Sequence, residues 1–435
     1  MSDLHELARL LRELDDQLAT CMRCGMCQAV CPLYAETGRE SDVARGKIVL
    51  LEHLSKELLK NPEAVRERLE KCLLCGSCAS ACPSGVKVTD LFLKARAVIN
   101  GYLGLPPAKK ALFRQILARP ALFNRLAFMA SKFQNILTRP TGDIVGSSCA
   151  RFESLLLGDR RFMPLDRKPF HRRIREIDEA AGADETRAAF FPGCLTDKVF
   201  PTVAESAVAA LRHHDVRIFM PPDQACCGIP ALSAGDTGAF TELVRHNLKR
   251  FKAADFNVLL TPCATCTAVI KKVWPAMDHY FTPEEREAIG LLAEKTLDIT
   301  QFLAAHIDTG KSEPGDGTRA NRARITYHDP CHLKKSLGVH AEPRALIRAN
   351  PAYEYTEMEE ADRCCGMGGS FGLQHYDLSK KVGERKGKDI AESSAEVVAT
   401  SCPACMLQLI DLLSRSGSSA RVKHAVEIYA EGLEL

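Results

Sequence analysis

No apolar run in this chain reaches the roughly 18 residues that a membrane-spanning helix needs, so membrane attachment is expected only peripherally or through a partner. The N-terminus lacks the basic-then-apolar character of a secretory leader and carries Asp3, Glu6, Glu13, Asp15 and Asp16 instead. An excess of one charge sign is also missing. The formal charge is +3, which argues against nucleic-acid binding by global charge. No flavin or nicotinamide fingerprint and no nucleophile triad stands out. The run Gly366-Met367-Gly368-Gly369-Ser370-Phe371-Gly372 lacks the G-x-G-x-x-G order of a dinucleotide loop and reads as a place of close backbone approach. With 435 residues, length allows about three domains and a large core.

Cysteine, by contrast, is abundant. Nineteen are present, a number out of place in a cytosolic protein unless they bind metal. Ten of them form a duplication. Cys194, Cys226, Cys227, Cys263 and Cys266 recur as Cys331, Cys364, Cys365, Cys402 and Cys405, each about 137 to 139 residues later. Adjacent cysteines bridge one another only with strain, so a pair beside a C-x-x-C reads as thiolates gathered around metal. Five thiolates per copy exceed the four that one cube or one zinc ion requires, which implies a larger cluster or a bridging thiolate. The glycine after each pair, Gly228 and Gly366, can take a positive φ and let both sulfurs face one centre.

Eight further cysteines form two motifs of C-x-x-C-x-x-C-x-x-x-C-P: Cys21, Cys24, Cys27 and Cys31, then Cys72, Cys75, Cys78 and Cys82. This is the bacterial ferredoxin spacing for cubane [4Fe–4S] clusters, in which the cysteine before proline ligates the other cluster. Cys21, Cys24, Cys27 and Cys82 are therefore expected to hold one cube, and Cys72, Cys75, Cys78 and Cys31 the second. Zinc is the plainer alternative, although it usually takes thiolates in two pairs. Gly25 and Gly76 admit close passage of backbone past sulfur. Arg45 and Lys47 could offset cluster charge or simply form a solvated face. Cys149 remains alone and reads as a plain thiol.

The coarse organisation is α+β and multidomain: a helical two-cluster module over 1–100, a basic helical connector over 101–187, and two α/β repeats over 188–310 and 320–435. Leucine spacing predicts one amphipathic helix over 3–19, and helices are expected over 43–59 and 62–70, the latter capped by Asn61. Residues 101–140 hold Lys109, Lys110, Arg114, Arg119, Arg125, Lys132 and Arg139 without one acidic residue, divided by prolines into short helices. Such a stretch suits an anionic membrane face, a partner subunit, or packing on its own protein. Residues 158–187 read as a linker. In the repeats, strands at 188–191, 216–220 and 257–261, and again at 324–328, 353–355 and 396–400, each run into a cysteine loop. Strand, loop, helix units predict largely parallel sheets with every cysteine loop beyond a strand's C-terminal end. His328 and His332 flank Cys331 and could hydrogen-bond cluster sulfur or relay a proton, or serve structure alone. His213-His214 ends a helix, where cation–dipole contact suffices.

This order of motifs resembles a family that includes the iron–sulfur subunits of glycolate oxidase and related lactate dehydrogenases, the corresponding subunit of anaerobic glycerol-3-phosphate dehydrogenase, and heterodisulfide reductase. The resemblance implies a noncubane [4Fe–4S] cluster on each set of five cysteines, with zinc in one of the two sites as the alternative. It implies an electron-transfer subunit of a membrane-associated 2-hydroxy acid dehydrogenase or oxidase, itself inactive on substrate. Electrons would come from a flavoprotein subunit and leave to quinone, a membrane cytochrome or another carrier. The chain would be cytoplasmic or peripheral on the inner face of the cytoplasmic membrane. A heterodisulfide reductase-type subunit that reduces a disulfide, or the corresponding subunit of a glycerol-3-phosphate dehydrogenase, is the alternative.

Overall fold

The computed structural model describes residues 4–142, 146–151, 159–307 and 322–433. Asp3 and the ends of the two expected repeats at 308–310, 320–321 and 434–435 lie outside them. The chain divides into two compact units. One comprises Met1–Arg119, Gly228–Val244 and Gly366–Val382; the other comprises Pro120–Cys227, Arg245–Cys365 and Gly383–Leu435.

The first unit is helical. The helix expected over 3–19 is two helices, Leu4–Arg12 and Asp15–Ala19. A turn closed by the Leu14 N–H on Leu11 O separates them. The break re-aims the leucine stripe so that Leu7, Leu11 and Leu18 all enter one core. Helices Ala44–Ser55, Pro62–Glu70 and Val88–Leu103 complete that core with Ile48, Leu51, Val65, Leu69, Phe92 and Ile99. Each such side chain is worth about 1.5–3 kcal/mol on full burial. The Asn61 carboxamide accepts from Ala64 N at 2.9 Å, as a cap should, and Pro62 occupies the first turn where its missing N–H is harmless.

The basic stretch is not a row of short helices throughout. Pro107–Lys110 runs straight into a wide π-helical turn, Ala111–Leu117, and Pro120–Leu137 continues for 18 residues. Proline at a first turn starts a helix without limiting its length. Two of the basic residues are tied down within the first unit. Arg114 Nε bonds both oxygens of the buried Asp236 at 3.1 and 3.0 Å, and Lys109 reaches Gln374 at 3.1 Å. In the second unit, Pro120–Leu137 leaves Leu126, Met129, Phe133, Ile136 and Leu137 exposed along one face. Lys132 and Arg172 lie over the Phe128 ring.

The stretch read as a linker has structure. Thr138–Pro140, Ser148–Ala150 and Arg161–Phe162 form a three-stranded antiparallel sheet that buries Cys149. Ile177–Asp178 is an antiparallel edge strand on Arg217–Met220.

Two sheets carry the duplication. The first orders its strands Ile177–Asp178, Arg217–Met220, Arg187–Phe190, Val258–Thr261, Thr296–Asp298; the second orders Tyr353–Tyr355, Ala323–His328, Val397–Thr400, Arg421–His424. Apart from the Ile177–Asp178 edge, every pairing in both is parallel. Without that edge strand, the two sheets have the same topology. In each, the first strand of the repeat lies between the second and third, so the order reverses at the first strand's C-terminal end. Crevices at such reversals are where open α/β sheets gather ligands. The two copies share one core: Phe190, Val203, Ala207 and Ile218 of the first meet Leu346, Met406, Val426 and Tyr429 of the second.

Candidate functional site

In the first unit, the two ferredoxin-spaced motifs fold alike. Arg23 and Gly25 in one, and Leu74 and Gly76 in the other, all have positive φ. Alternating left-handed residues turn successive backbone N–H groups inward, a concavity suited to anionic sulfur. Leu74 N already donates to Cys72 Sγ at 3.4 Å, and Tyr34 N donates to Cys31 Sγ at 3.5 Å.

Two cavities open beside these loops. Cys21, Cys24, Cys27, Cys82 and Cys78 line one; Cys31, Cys72, Cys75 and Cys78 line the other. The cysteine before proline in each motif thus stands at the other motif's cavity. Arg45 lines the first and Lys47 the second. Arg45 is held by Glu40 and by Arg23 O at 3.2 Å. Lys47 is buried and donates to Asp42 O; burial pulls its pKa down. Cys24 is exposed, and Met22 and Met26 beside it are exposed too, so the first loop is the more open to solvent.

Arg96 was not legible from sequence. It is fully buried and donates to Leu69 O at 2.5 Å, Cys72 O at 2.8 Å and Ser233 O at 2.8 Å. One guanidinium therefore fixes the carbonyl of the first cysteine of a motif and the stretch that follows Cys226-Cys227-Gly228. The second such stretch reaches the same loop: a Cβ on Gly368 would stand 2.7 Å from Leu73 Cδ2 and 3.2 Å from Leu73 Cα. The glycine run does serve close approach, as its composition predicts.

In the second unit, the ten thiols of the duplication lie on loops that follow the parallel strands. Cys194 Sγ lies 3.8 Å from Cys226 Sγ. Cys227 and Cys263 both contact Cys266, and in the second copy Cys365 and Cys402 both contact Cys405. Gly193, at φ +79, leaves room for Cys266 Sγ, which would be 3.1 Å from a Cβ there. Gly228 and Gly366 both adopt φ +93, the turn expected after the adjacent cysteines. Trp274, the one tryptophan of the chain, donates Nε1–H to Cys227 O at 3.0 Å. Asn247 clamps the same loop, accepting from Ala225 N at 2.9 Å and donating to Cys226 O at 3.1 Å. Neither residue carries a sequence signal, because the partner in each case is backbone.

The two copies meet through their C-x-x-C loops. Ala264 N donates to Ser401 O at 3.0 Å, Cys263 contacts Cys402, and Thr265 Oγ1 lies 3.4 Å from Cys402 Sγ and 3.1 Å from His332 Nδ1. The two sets of five thiols are therefore neighbours, which the linear spacing did not reveal. Also unforeseen are the fourth strands, which end in Asp298 and His424. Both are fully buried and cap the next helix, on Thr300 N at 2.9 Å and Val426 N at 3.1 Å. Burial pushes the Asp298 pKa up to about 7 and the His424 pKa down to about 4. His214 departs from the cation–dipole reading. It bonds the Tyr429 hydroxyl at 2.7 Å, and burial with His213 and His306 nearby lowers its pKa, which disfavours a cation.

The donor set fits a metal–sulfur group. Hydrogen bonding with Cys226 and burial hold Cys194 well above the usual thiol value. Neighbouring thiols and burial do the same to Cys266 and Cys405. Burial raises Cys31 to about 11 and also raises Cys78. Cys402 is lowered instead, by hydrogen bonds from Cys263 and Cys405. So many buried thiols cannot ionise together without added positive charge, which a bound metal would supply.

The comparisons agree with this chemistry. Residues 17–86 match a 4Fe-4S dicluster domain, and residues 188–271 and 325–410 each match a cysteine-rich domain. The chain is 28% identical to the probable glycolate oxidase iron-sulfur subunit of Bacillus subtilis, over 96% of this chain and 94% of that one. It is 25% identical to a subunit of the dihydromethanophenazine:CoB–CoM heterodisulfide reductase of Methanosarcina acetivorans, over 96% and 95%. It is 29% identical to lactate utilization protein A of an Exiguobacterium species, over 57% of this chain and 98% of that one. With ferredoxin-spaced loops in one unit, paired cysteine-rich repeats in the other and these relatives, the chain belongs to the family of oxidoreductase iron–sulfur subunits that join a 4Fe-4S dicluster domain to a duplicated cysteine-rich domain.

Proposed function

We propose that this chain carries electrons from a flavoprotein that oxidises a 2-hydroxy acid, lactate or glycolate, towards quinone, a membrane cytochrome or another carrier. The observation that carries the reading is the similarity to a glycolate oxidase iron–sulfur subunit over 96% of the chain. Iron–sulfur clusters supply one-electron transfer; oxidation of a 2-hydroxy acid takes a two-electron cofactor, here assigned to the partner. Cys21, Cys24, Cys27 and Cys82 would hold one cubane cluster, and Cys72, Cys75, Cys78 and Cys31 the second. The grouping of those cysteines around two cavities supports the exchange. Cys194, Cys226, Cys227, Cys263 and Cys266 would hold one noncubane cluster, and Cys331, Cys364, Cys365, Cys402 and Cys405 the other. Arg45 and Lys47 offset charge at the two cavities, and Asn247, Trp274 and Arg96 fix the cysteine loops.

No helix among the described residues is long and apolar enough to cross a membrane. Attachment is assigned to the exposed apolar face of Pro120–Leu137, on a partner subunit or on the inner face of the cytoplasmic membrane. The test is activity. Purified chain loaded with iron should not reduce an artificial acceptor with lactate or glycolate, and adding its flavoprotein partner should restore reduction. Turnover by the chain alone would refute the reading.

One observation favours a second reading, reduction of a disulfide. Cys263 and Cys402 bring the two five-thiol sets into contact, and a heterodisulfide reductase subunit is similar over nearly the full length of both chains. Reduced-viologen oxidation that depends on an added disulfide would select it over the first.

A further inference from the structure

The two copies of the duplicated site differ at a buried position three residues before the first cysteine. In the first copy Phe191 follows the strand Arg187–Phe190, donates its N–H to Leu260 O at 2.9 Å, is fully buried, and precedes Cys194 by three residues. In the second, the same place is taken by His328, which ends the strand Ala323–His328, pairs with Thr400 and precedes Cys331 by three. His328 is 1% exposed. Neither its Nδ1 nor its Nε2 has a hydrogen-bond partner. A buried imidazole with unmet hydrogen-bonding groups carries a desolvation penalty, so the fold retains it against a cost that Phe191 avoids. One of its nitrogens and the sulfurs of Cys365 and Cys405 all lie within 4.8 Å of one another. The chain thus places nitrogen among the thiols of one site and hydrocarbon at the matching point of the other.

We propose that His328 supplies a nitrogen donor to the metal of the second duplicated site, so that the two sites, alike in their five cysteines, differ in ligand set. This rests on the reading of both as metal sites. A neutral imidazole brings a donor without the negative charge of a thiolate. In iron–sulfur centres the ligand set is one of the terms that fix the reduction potential. Two sites identical in thiols would then differ in potential.

The test uses full-length protein labelled with 15N-histidine and loaded anaerobically with iron. Electron spin-echo spectroscopy of the paramagnetic state should show a nitrogen coupling of the size of a direct iron ligand, altered by the label. His328→Phe, the residue of the first copy, should abolish it at unchanged iron content and shift the potential of one site. His328→Gln should abolish it as well, which guards against a folding defect in either variant. His332→Ala should leave it intact. Absence of a histidine coupling, a coupling only of hydrogen-bond size, or one that survives His328→Phe overturns the assignment. Iron content of the same sample reports the cluster reading separately. If the second site holds zinc, absorption at the zinc edge must show nitrogen in its shell, and a sulfur-only shell overturns the donor role.

Discussion

Replacing Gly228 by alanine puts the geometry of the adjacent cysteines to a quantitative trial. Gly228 sits at φ +93, where an L-residue is strained by about 1–2 kcal/mol. An alanine Cβ would also stand 2.7 Å from Phe240 Cδ2, closer than real Cβ contacts come, and a tight 3.3 Å from Cε2. Phe240 is fully buried, so overpacking adds about 1–3 kcal/mol. The predicted loss is about 2–5 kcal/mol, part of it expressed as displacement of Cys227. Gly417→Ala is the control. It has φ +69 but nothing within 4 Å of its Cβ, so only the strain of about 1–2 kcal/mol applies. The two variants share the entropic effect of removing glycine from the unfolded chain, which cancels in the comparison. Denaturant unfolding measures the difference, and iron per chain reports the site. If Gly228→Ala is no less stable than Gly417→Ala and holds as much iron, the argument that the turn positions the cysteine pair is wrong.

Other substitutions probe other parts of the account. Cys82→Ala should damage the cluster held by Cys21, Cys24 and Cys27 and spare the one on Cys72, Cys75 and Cys78; the two are separable by Mössbauer or paramagnetic spectra, and the reverse pattern refutes the exchanged ligands. The double change Met129→Glu, Phe133→Glu on the exposed face of Pro120–Leu137 should shift stability by no more than about 0.5 kcal/mol while releasing the protein from its flavoprotein partner or from anionic vesicles; unchanged co-purification and sedimentation would mean the face is not a docking surface. Asp298, raised to about 7 in the fold from an ordinary value of 3.8, should contribute stability that is complete below about pH 4 and lost as pH rises to about 7. Asp298→Asn keeps the helix cap and should flatten that slope in chemical unfolding across the same window; an unchanged slope would locate the titration elsewhere.

The cysteine spacings were legible because ligand geometry constrains sequence directly: three thiols on one tight loop, then a fourth before proline, admit few other purposes. The strands before each cysteine loop were legible for a different reason, since buried parallel strands read as short apolar runs. Thr296–Asp298 and Arg421–His424 escaped because they are short and polar, and parallel pairing with a neighbour defines them rather than their own pattern. The turn at Leu14 escaped because leucine spacing alone does not mark where a helix yields to the demands of a shared core. That Gly228–Val244 and Gly366–Val382 join the same unit as Met1–Arg119 depends on Arg96 reaching Ser233 and on Leu73 meeting Gly368. Such pairings lie more than a hundred residues apart and have no local signature. His328 was visible as a candidate beside Cys331, but that neither of its ring nitrogens finds a hydrogen-bond partner emerges only in three dimensions.

The measurement closest to the centre of this account is the metal content of fully loaded, anaerobically prepared protein. Two cubane clusters and two four-iron clusters at the duplicated sites require about 16 irons per chain. Mössbauer spectra should divide that iron about equally between cubane and noncubane environments, with zinc absent. About half that iron, accompanied by zinc, would leave the ferredoxin-spaced loops as the only cluster sites and contradict the assignment of both five-cysteine sets.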